Sequence, residues 1–425
     1  MKQSALNLFE AFSKNDDFQS QVSFEAIEEA SEELKAVVQR TPTIISPWLS
    51  HVIDGEVYLK LENLQITGSF KARGAYTCMN RLSREEKSRG IITMSSGNHA
   101  LAVGYHAQKM GISATIIMPR NTPISRVEQV RSYGASIILH GQNISEARDF
   151  ARQFMRRNNQ PLIDPFDDPN VIIGQGSVGI EMFNDVNNLD VLLIPIGGGS
   201  LASGVGIVAK KLNPRIQIIG VQSLFSPTTA EILFPNCIQM ENRKETETIA
   251  ENIAINAPGQ LNLKILNEVL DDMLIVNEAM IENAMEALVV HNKLVAEGSG
   301  AVGVAAILAH KEIFTSKRVG TIVCGGNVDS RILSSLLMKG LIHEGKLVRL
   351  RIEINDNPGI LGQLSHIIGK VGGNIFEISH QRFFNKILIK TTHVDAVVET
   401  RDIHHAKQIC KALMDAGYLT KIMED

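Results

Sequence analysis

The amino-acid sequence predicts an α/β protein with open, mostly parallel sheets flanked by helices, followed by a smaller α+β module of ferredoxin-like βαββαβ order. Three observations carry this expectation. Short, nearly continuous apolar runs alternate with helix-length segments between Val57 and Val323, the rhythm of parallel strands joined by helical crossovers and covered on both faces. Several runs end in turns of small or polar residues, which is where open α/β sheets place their ligands. After residue 345 the pattern changes to strands of alternating polarity, as expected where one sheet face meets solvent.

The chain has 425 residues, 44% of them hydrophobic, enough for a large core and two or three domains. Its formal net charge is only -4 and no Lys/Arg block stands out, so neither a nucleic acid nor a membrane surface is an expected partner. Residues 1–22 mix acids with apolar residues, unlike a signal peptide, and no run is long and apolar enough to span a bilayer. Cys78, Cys237, Cys324 and Cys410 are widely spaced, with no disulfide or metal pattern. A cytoplasmic protein without a structural metal is the expectation.

Along the chain, runs at 57–59, 91–94, 114–118 and 136–139 are predicted as strands of a smaller α/β subdomain covering about 59–159. Segments 99–110 and 125–133 have helical spacing and are closed by Gly111 and Gly134, the residue type that accepts the left-handed turn after a helix. Runs at 191–196, 216–221 and 319–323 read as buried strands of a larger subdomain, beside an amphipathic helix over 278–291. In the C-terminal part a half-exposed strand at 347–355 turns through Asp356-Asn357-Pro358-Gly359 into a helix over 360–371. Gly372, Gly373 and Asn374 then open a strand at 375–379, followed by a strand at 387–394, a helix at 403–416 and a strand at 418–423. This βαββαβ order marks a separate domain, so the predicted division is 1–345 and 346–425.

Four turns concentrate chemistry. Lys71 stands behind Phe70 in Gly68-Ser69-Phe70-Lys71-Ala72-Arg73-Gly74, and burial or a cationic neighbour such as Arg73 would lower its pKa enough for nucleophilic work. Ser95-Ser96-Gly97-Asn98-His99 and Cys324-Gly325-Gly326-Asn327 close two of the apolar runs. A third run leads into Gly197, Gly198, Gly199, Ser200 and Leu201, followed by a helix. Backbone N–H groups there suit a phosphate, though glycines also serve tight strand-to-helix turns. The loop lacks the lysine of a P-loop and the spacing of a dinucleotide fingerprint. One lysine and one phosphate cradle, without metal ligands, suggest a cofactor carrying an aldehyde and a phosphate, which describes pyridoxal 5′-phosphate.

In these motifs, GSFKARGA, SSGNHA, PIGGGSL and CGGN, the chain from about Phe24 onward resembles the fold-type II pyridoxal-phosphate enzymes, and among them threonine dehydratases (threonine ammonia-lyases) with a C-terminal ACT regulatory domain. The resemblance implies a two-subdomain catalytic domain in which Lys71 forms a Schiff base with the cofactor and acts as base on the substrate Cα. Phe70 would pack on the pyridine ring, Asn98 would bond its 3′-oxygen, and Gly197, Gly198, Gly199, Ser200 and Leu201 would hold the phosphate. Ser95, Ser96, Gly97 and His99 would receive the substrate carboxylate. Cys324 would face the pyridine nitrogen, where a neutral thiol makes the ring a weaker electron sink. Glu297 matches a family position facing the cofactor, yet it could equally serve the dipole of the helix it precedes.

The implied reaction is deamination of L-threonine to 2-oxobutanoate and ammonia, with L-serine as a second substrate, in isoleucine biosynthesis or in threonine breakdown. Alternatives are a serine dehydratase or serine racemase, or a non-catalytic amino-acid-sensing relative. Asp356, Asn357, Pro358, Gly359, Ile360 and Leu361, with Gly373 and Asn374, resemble the ACT signature and imply an amino-acid effector site between paired domains, in a homo-oligomer that is at least a dimer and in the family a tetramer. Four positions depart from the family pattern: Ser200 for glycine, Leu101 for glutamine, Asn252 for glycine, and Gln222 for the glutamate that ligates a divalent cation in serine racemases.

Overall fold

The structure, a computed structural model, describes residues 21–237, 247–355, 357–381 and 391–423. The N-terminal reading, apart from residues 21 and 22, and Asp356 lie outside the described residues. The chain divides into two units, Met1–Val328 and Asp329–Asp425. Among the described residues no helix is long and apolar enough to cross a membrane.

The first unit contains strands β1 (Thr43–Ile45), β2 (Glu56–Lys60), β3 (Ile91–Met94), β4 (Ala114–Met118), β5 (Ser136–Leu139), β6 (Val191–Pro195), β7 (Gln217–Ser223), β8 (Asp272–Val276) and β9 (Arg318–Ile322). They form a six-stranded sheet in the order β1-β2-β9-β6-β7-β8 and a three-stranded sheet β3-β4-β5. All pairings are parallel except that of β1 with β2. Every residue of β3 and β6 is buried, which explains their unbroken apolar sequences.

One expectation is corrected. Residues 57–59, expected in the smaller subdomain, belong to the large sheet, where β2 pairs with β9 and Val57 lies opposite Val319. An apolar run sets strand formation and leaves the partner open, and here the partner comes from the far end of the unit. The smaller sheet begins at Ile91. Strands β1 and β8 are additions to the sequence-based expectation.

Glycines let the central helices meet backbone to backbone. In helix Pro169–Asp185, a Cβ on Gly174 would lie 2.7 Å from the Gly74 Cα of helix Lys71–Asn80. Beneath that crossing lies a buried ionic cluster. The Arg73 guanidinium donates to both carboxylate oxygens of Glu62 at 2.7 and 2.8 Å and to both of Glu181 at 2.7 and 2.9 Å. Lys60 Nζ donates to Glu181 at 2.6 Å and to the Thr41 carbonyl at 2.7 Å. Burial opposes the Arg73 charge, but Glu62 and Glu181 outweigh it and raise its pKa. Two cations thus meet two carboxylates at hydrogen-bond distance, the pairing under which buried charge is tolerated.

The second unit comprises helix Ser330–His343, β10 (Leu347–Asn355), helix Ile360–Val371, β11 (Asn374–Gln381), β12 (Thr391–Glu399), helix Ile403–Asp415 and β13 (Thr420–Met423). Its sheet has the order β11-β12-β10-β13 and is antiparallel throughout. From β10 onward the element order is βαββαβ. Leu350, Ile352, Ile368, Val398, Ile409 and Leu413 are fully buried in its core. Helix Ser330–His343 goes with this unit, whereas the boundary expected at 345 falls after it. The strand expected at 387–394 is described only from Thr391, and it runs on to Glu399.

Candidate active site

Lys71 is the first residue of its helix, and the turn before it is held against the end of β9. Gly68 takes φ +72°, Ser69 bridges to Gly325, and the Phe70 N–H donates to the Cys324 carbonyl at 3.1 Å. Lys71 Nζ donates to the Pro165 carbonyl at 2.6 Å and lies 5.0 Å from the centre of the Phe70 ring. Burial lowers its pKa to about 8, against the pull of Asp164. Arg73 is not the cause expected from the sequence: its charge is turned away and neutralised in the ionic cluster.

The glycine loop follows β6. Gly199 has φ +104° and caps helix Ser200–Leu212, a conformation that favours glycine. A Cβ on Gly198 would lie 2.1 Å from the Phe166 ring, so the backbone itself lines the space here. Ser200 and Leu201 are buried at the first turn. Free N–H groups at the start of a 13-residue helix make an anion site.

Residues 95–97 connect β3 to helix Asn98–Met110, and the Gly97 N–H donates to Ser95 Oγ at 3.2 Å. Asn98 is buried; its Nδ2 donates to Glu297 Oε1 at 2.8 Å, and its Oδ1 accepts from Asn327 Nδ2 at 2.8 Å. Glu297 also accepts from Ser299 Oγ, while its Oε2 has no hydrogen-bond partner. Burial raises the Glu297 pKa, partly offset by the Ser299 hydroxyl and the amides of Asn98 and Asn252. The Cys324 thiol donates to the Ser299 carbonyl at 3.3 Å, and burial pushes its pKa far up, so it stays neutral. His99 Nε2 lies 3.1 Å from the Ile163 carbonyl, which makes it the donor and leaves buried Nδ1 as an acceptor without a partner. Burial and the Lys71 charge lower the His99 pKa to about 4.

All these catalytic-domain candidates line one cavity: Phe70, Lys71, Ser95, Ser96, Gly97, Asn98, His99, Gly197, Gly198, Gly199, Ser200, Leu201, Glu297 and Cys324. It lies at the C-terminal ends of β3, β6 and β9, as the open-sheet rule requires. The sequence reading missed Pro165 and Phe166, although Asp164-Pro165 carries a turn signal, and it missed Ser299 and Asn327 as partners of Glu297 and Asn98. Gln222 lies outside the cavity lining; its amide donates to the Ile196 carbonyl and accepts from the N–H groups of Thr229 and Ala230.

The C-terminal candidates do not come together within one chain. Asn357, Pro358 and Gly359 precede helix Ile360–Val371, whose first turn holds Ile360 and Leu361, while Gly373 and Asn374 follow it. A 12-residue helix separates the two groups by about 18 Å. Among the described residues no group of three or more His, Cys, Asp or Glu is arranged to hold a metal.

The cavity fits pyridoxal phosphate: it offers an amine, a glycine loop leading into the uncapped start of a helix, and two buried polar atoms, His99 Nδ1 and Glu297 Oε2, without partners. Residues 34–325 match the family of pyridoxal-phosphate dependent enzymes. The L-threonine ammonia-lyase of Thermotoga maritima is 39% identical over 402 residues, covering 95% of this chain and all of that protein. A catabolic L-threonine dehydratase of Staphylococcus aureus is 40% identical over 324 residues, 75% of this chain and 93% of its own length. Among solved structures, maize serine racemase superposes with a TM-score of 0.69 at 34% identity, covering 76% of this chain and 98% of that one. Sequence kinship of this extent and a cavity shaped for the same group lead to one conclusion: the chain belongs to the pyridoxal-phosphate dependent enzymes of fold type II, and its cofactor is pyridoxal 5′-phosphate.

Proposed function

We propose that the protein deaminates L-threonine to 2-oxobutanoate and ammonia by β-elimination, and L-serine to pyruvate in the same way. The observation that carries the reading is Lys71, an amine with a lowered pKa in a cavity that also holds a neutral thiol. The L-threonine ammonia-lyase that matches 95% of the chain supports the choice of substrate.

Bound pyridoxal phosphate supplies an electron-withdrawing ring that stabilises negative charge at the substrate Cα. The protein's share is placement and proton transfer. N–H groups of residues 197–201 hold the phosphate, and the Ser95–Ser96–Gly97 turn receives the substrate carboxylate through backbone and hydroxyl donors. The Lys71 amine takes the Cα proton. The Cβ–O bond then breaks and the hydroxyl leaves as water, its added proton balancing the one that Lys71 took from Cα; the released enamine becomes an imine, which water hydrolyses to oxoacid and ammonia. Cys324 cannot act as the counter-ion that a carboxylate would provide, so charge at Cα is short-lived and departure of the β-hydroxyl is favoured over return of the proton.

Racemisation of serine is the rival reading, raised by the maize relative. Against it, Gln222 is a neutral amide engaged with three backbone groups, where a carboxylate would be needed for the racemase cation. Serine lacks only the threonine methyl, and such a difference discriminates by about 1–3 kcal/mol, so both should react. The test is oxoacid and D-serine release from L-threonine and L-serine, by wild type and Lys71→Ala. Wild type should yield oxoacid, and the variant should lose at least roughly 10³-fold in turnover, the scale of a missing catalytic base and nucleophile. D-serine as the main product, or full turnover in Lys71→Ala, would refute the reading. We extend the proposal to amino-acid control through the second unit; the same assay with isoleucine or valine present tests this, and no response to either removes that part.

A further inference from the structure

We infer that Glu297 and Asn327 are positioning residues which together lock the Asn98 amide in one orientation and leave one of its N–H bonds free for the cofactor. The inference rests on the cofactor assignment and is independent of which substrate is used.

A backbone carbonyl sets the orientation of the whole chain of amides. Asn327 Nδ2 lies 2.8 Å from the Thr67 carbonyl and 2.8 Å from Asn98 Oδ1. A carbonyl only accepts, so this face of Asn327 is its NH2 group, with one hydrogen for each acceptor. The Asn98 atom facing it must then be oxygen, which turns Asn98 Nδ2 to Glu297 Oε1 at 2.8 Å. One of the two Nδ2 hydrogens is spent there and one remains. Neither neighbour alone suffices: Asn327 selects the face, and Glu297 anchors the opposite side.

Three observations separate this arrangement from incidental packing. Glu297 is the N-cap residue of helix Gly298–Ala309, yet its side chain makes no capping hydrogen bond, so the helix-dipole role open to it from sequence is not where its acceptor is used. Its Oε1 instead accepts from both Asn98 and Ser299. A Cβ on Gly325 would lie 2.6 Å from Glu297 Oε1 and 3.0 Å from Asn98 Nδ2, so the first glycine of Cys324-Gly325-Gly326-Asn327 makes room for the pair. Finally, a Cβ on Gly68 would lie 2.4 Å from Asn327 Oδ1. The turn before Lys71 and the turn after Cys324 therefore interlock around the amide that orients Asn98.

Cofactor-stripped protein should be titrated with pyridoxal phosphate, and the absorption spectrum of the loaded protein recorded, for wild type, Glu297→Ala, Glu297→Gln and Asn327→Ala. Glu297→Ala should weaken cofactor affinity roughly tenfold, the scale of one hydrogen bond to a charged group, and shift the absorption maximum. Glu297→Gln keeps the Oε1 acceptor for Asn98 and Ser299, so it should restore spectrum and affinity to near wild type. Asn327→Ala should reproduce the Glu297→Ala spectrum, and it carries the test should Glu297→Ala fail to fold. Wild-type affinity and spectrum in both alanine variants would overturn the inference, as would Glu297→Gln behaving like Glu297→Ala in a folded protein. No amino acid enters this titration. Normal cofactor capture without oxoacid release would sink the proposed activity and leave the Asn98 lock standing.

Discussion

At the scale of single residues, the lysine's environment decides what it can do. An ordinary lysine is deprotonated in about one molecule in 3,000 at pH 7, whereas one with a pKa near 8 is deprotonated in about one in ten. Burial produces that change for Lys71, and Asp164 limits it. Cofactor capture by the stripped protein should therefore speed up as pH rises through 8 and level off above it, because only the free amine attacks the aldehyde. A stopped-flow pH series checks this. A rate still climbing tenfold per pH unit toward pH 10 would show an unperturbed amine and defeat the burial argument. The lysine is legible in the sequence, but its apparent cationic neighbour is not one, since residues i and i+2 of a helix point to different sides. Helical spacing alone therefore sets Arg73 apart from Lys71, and Glu62 and Glu181 take up its charge on the other side.

At the scale of elements, the site depends on how closely the helices around Lys71 pack. Gly174 puts helix Pro169–Asp185 directly on the backbone of helix Lys71–Asn80, with Arg73 O only 2.8 Å from where a Cβ would stand. Backbone cannot yield as a side-chain tip can, so Gly174→Ala must push the Lys71 helix outward, at a cost of about 1–3 kcal/mol. A lower thermal midpoint together with reduced turnover is the expected result, while unchanged values for both would show that the crossing has slack. Element types were legible because burial on both faces writes an unbroken apolar run, as in β6, and because Gly111, Gly372 and Gly417 take positive φ where the sequence ends a helix. Partnership was less legible. Nothing local in residues 57–59 announces Val319 as a neighbour, and the short edge strand β1 carries too few residues to show a period.

At the scale of the whole molecule, the candidate motifs were readable because three of the four turns follow buried strands, and the C-terminal ends of β3 in the smaller sheet and of β6 and β9 in the larger one border a single cavity with Lys71. The links between motifs were not, since Asn327 to Asn98 and Lys71 to Pro165 are bonds across the fold with no sequence period. Close burial within the same unit also sets how the protein meets acid. His99 and His106 are both enclosed, and burial lowers each pKa from 6.5 to about 4. Between those values the unfolded chain binds protons that the folded chain refuses, so folding stability rises with pH across that window. Above pH 6.5 both states are neutral there and the two histidines contribute no slope; as pH falls from about 6.5 toward 4, each removes up to roughly 3 kcal/mol. Against a typical total of about 5–15 kcal/mol, two such groups are enough to threaten the fold before most carboxylates protonate. Urea midpoints measured from about pH 8 to 4.5 should be flat down to about 6.5 and then drop. His106→Phe should lessen the drop, because it removes one buried imidazole and keeps an aromatic ring against Tyr76 and Tyr105, while giving up the hydrogen bond to the Ala72 backbone. Equal midpoints at the two ends of that range would mean that the imidazoles are solvated in the folded protein, and the same solvation at His99 would open the cavity wall beside Lys71 to water.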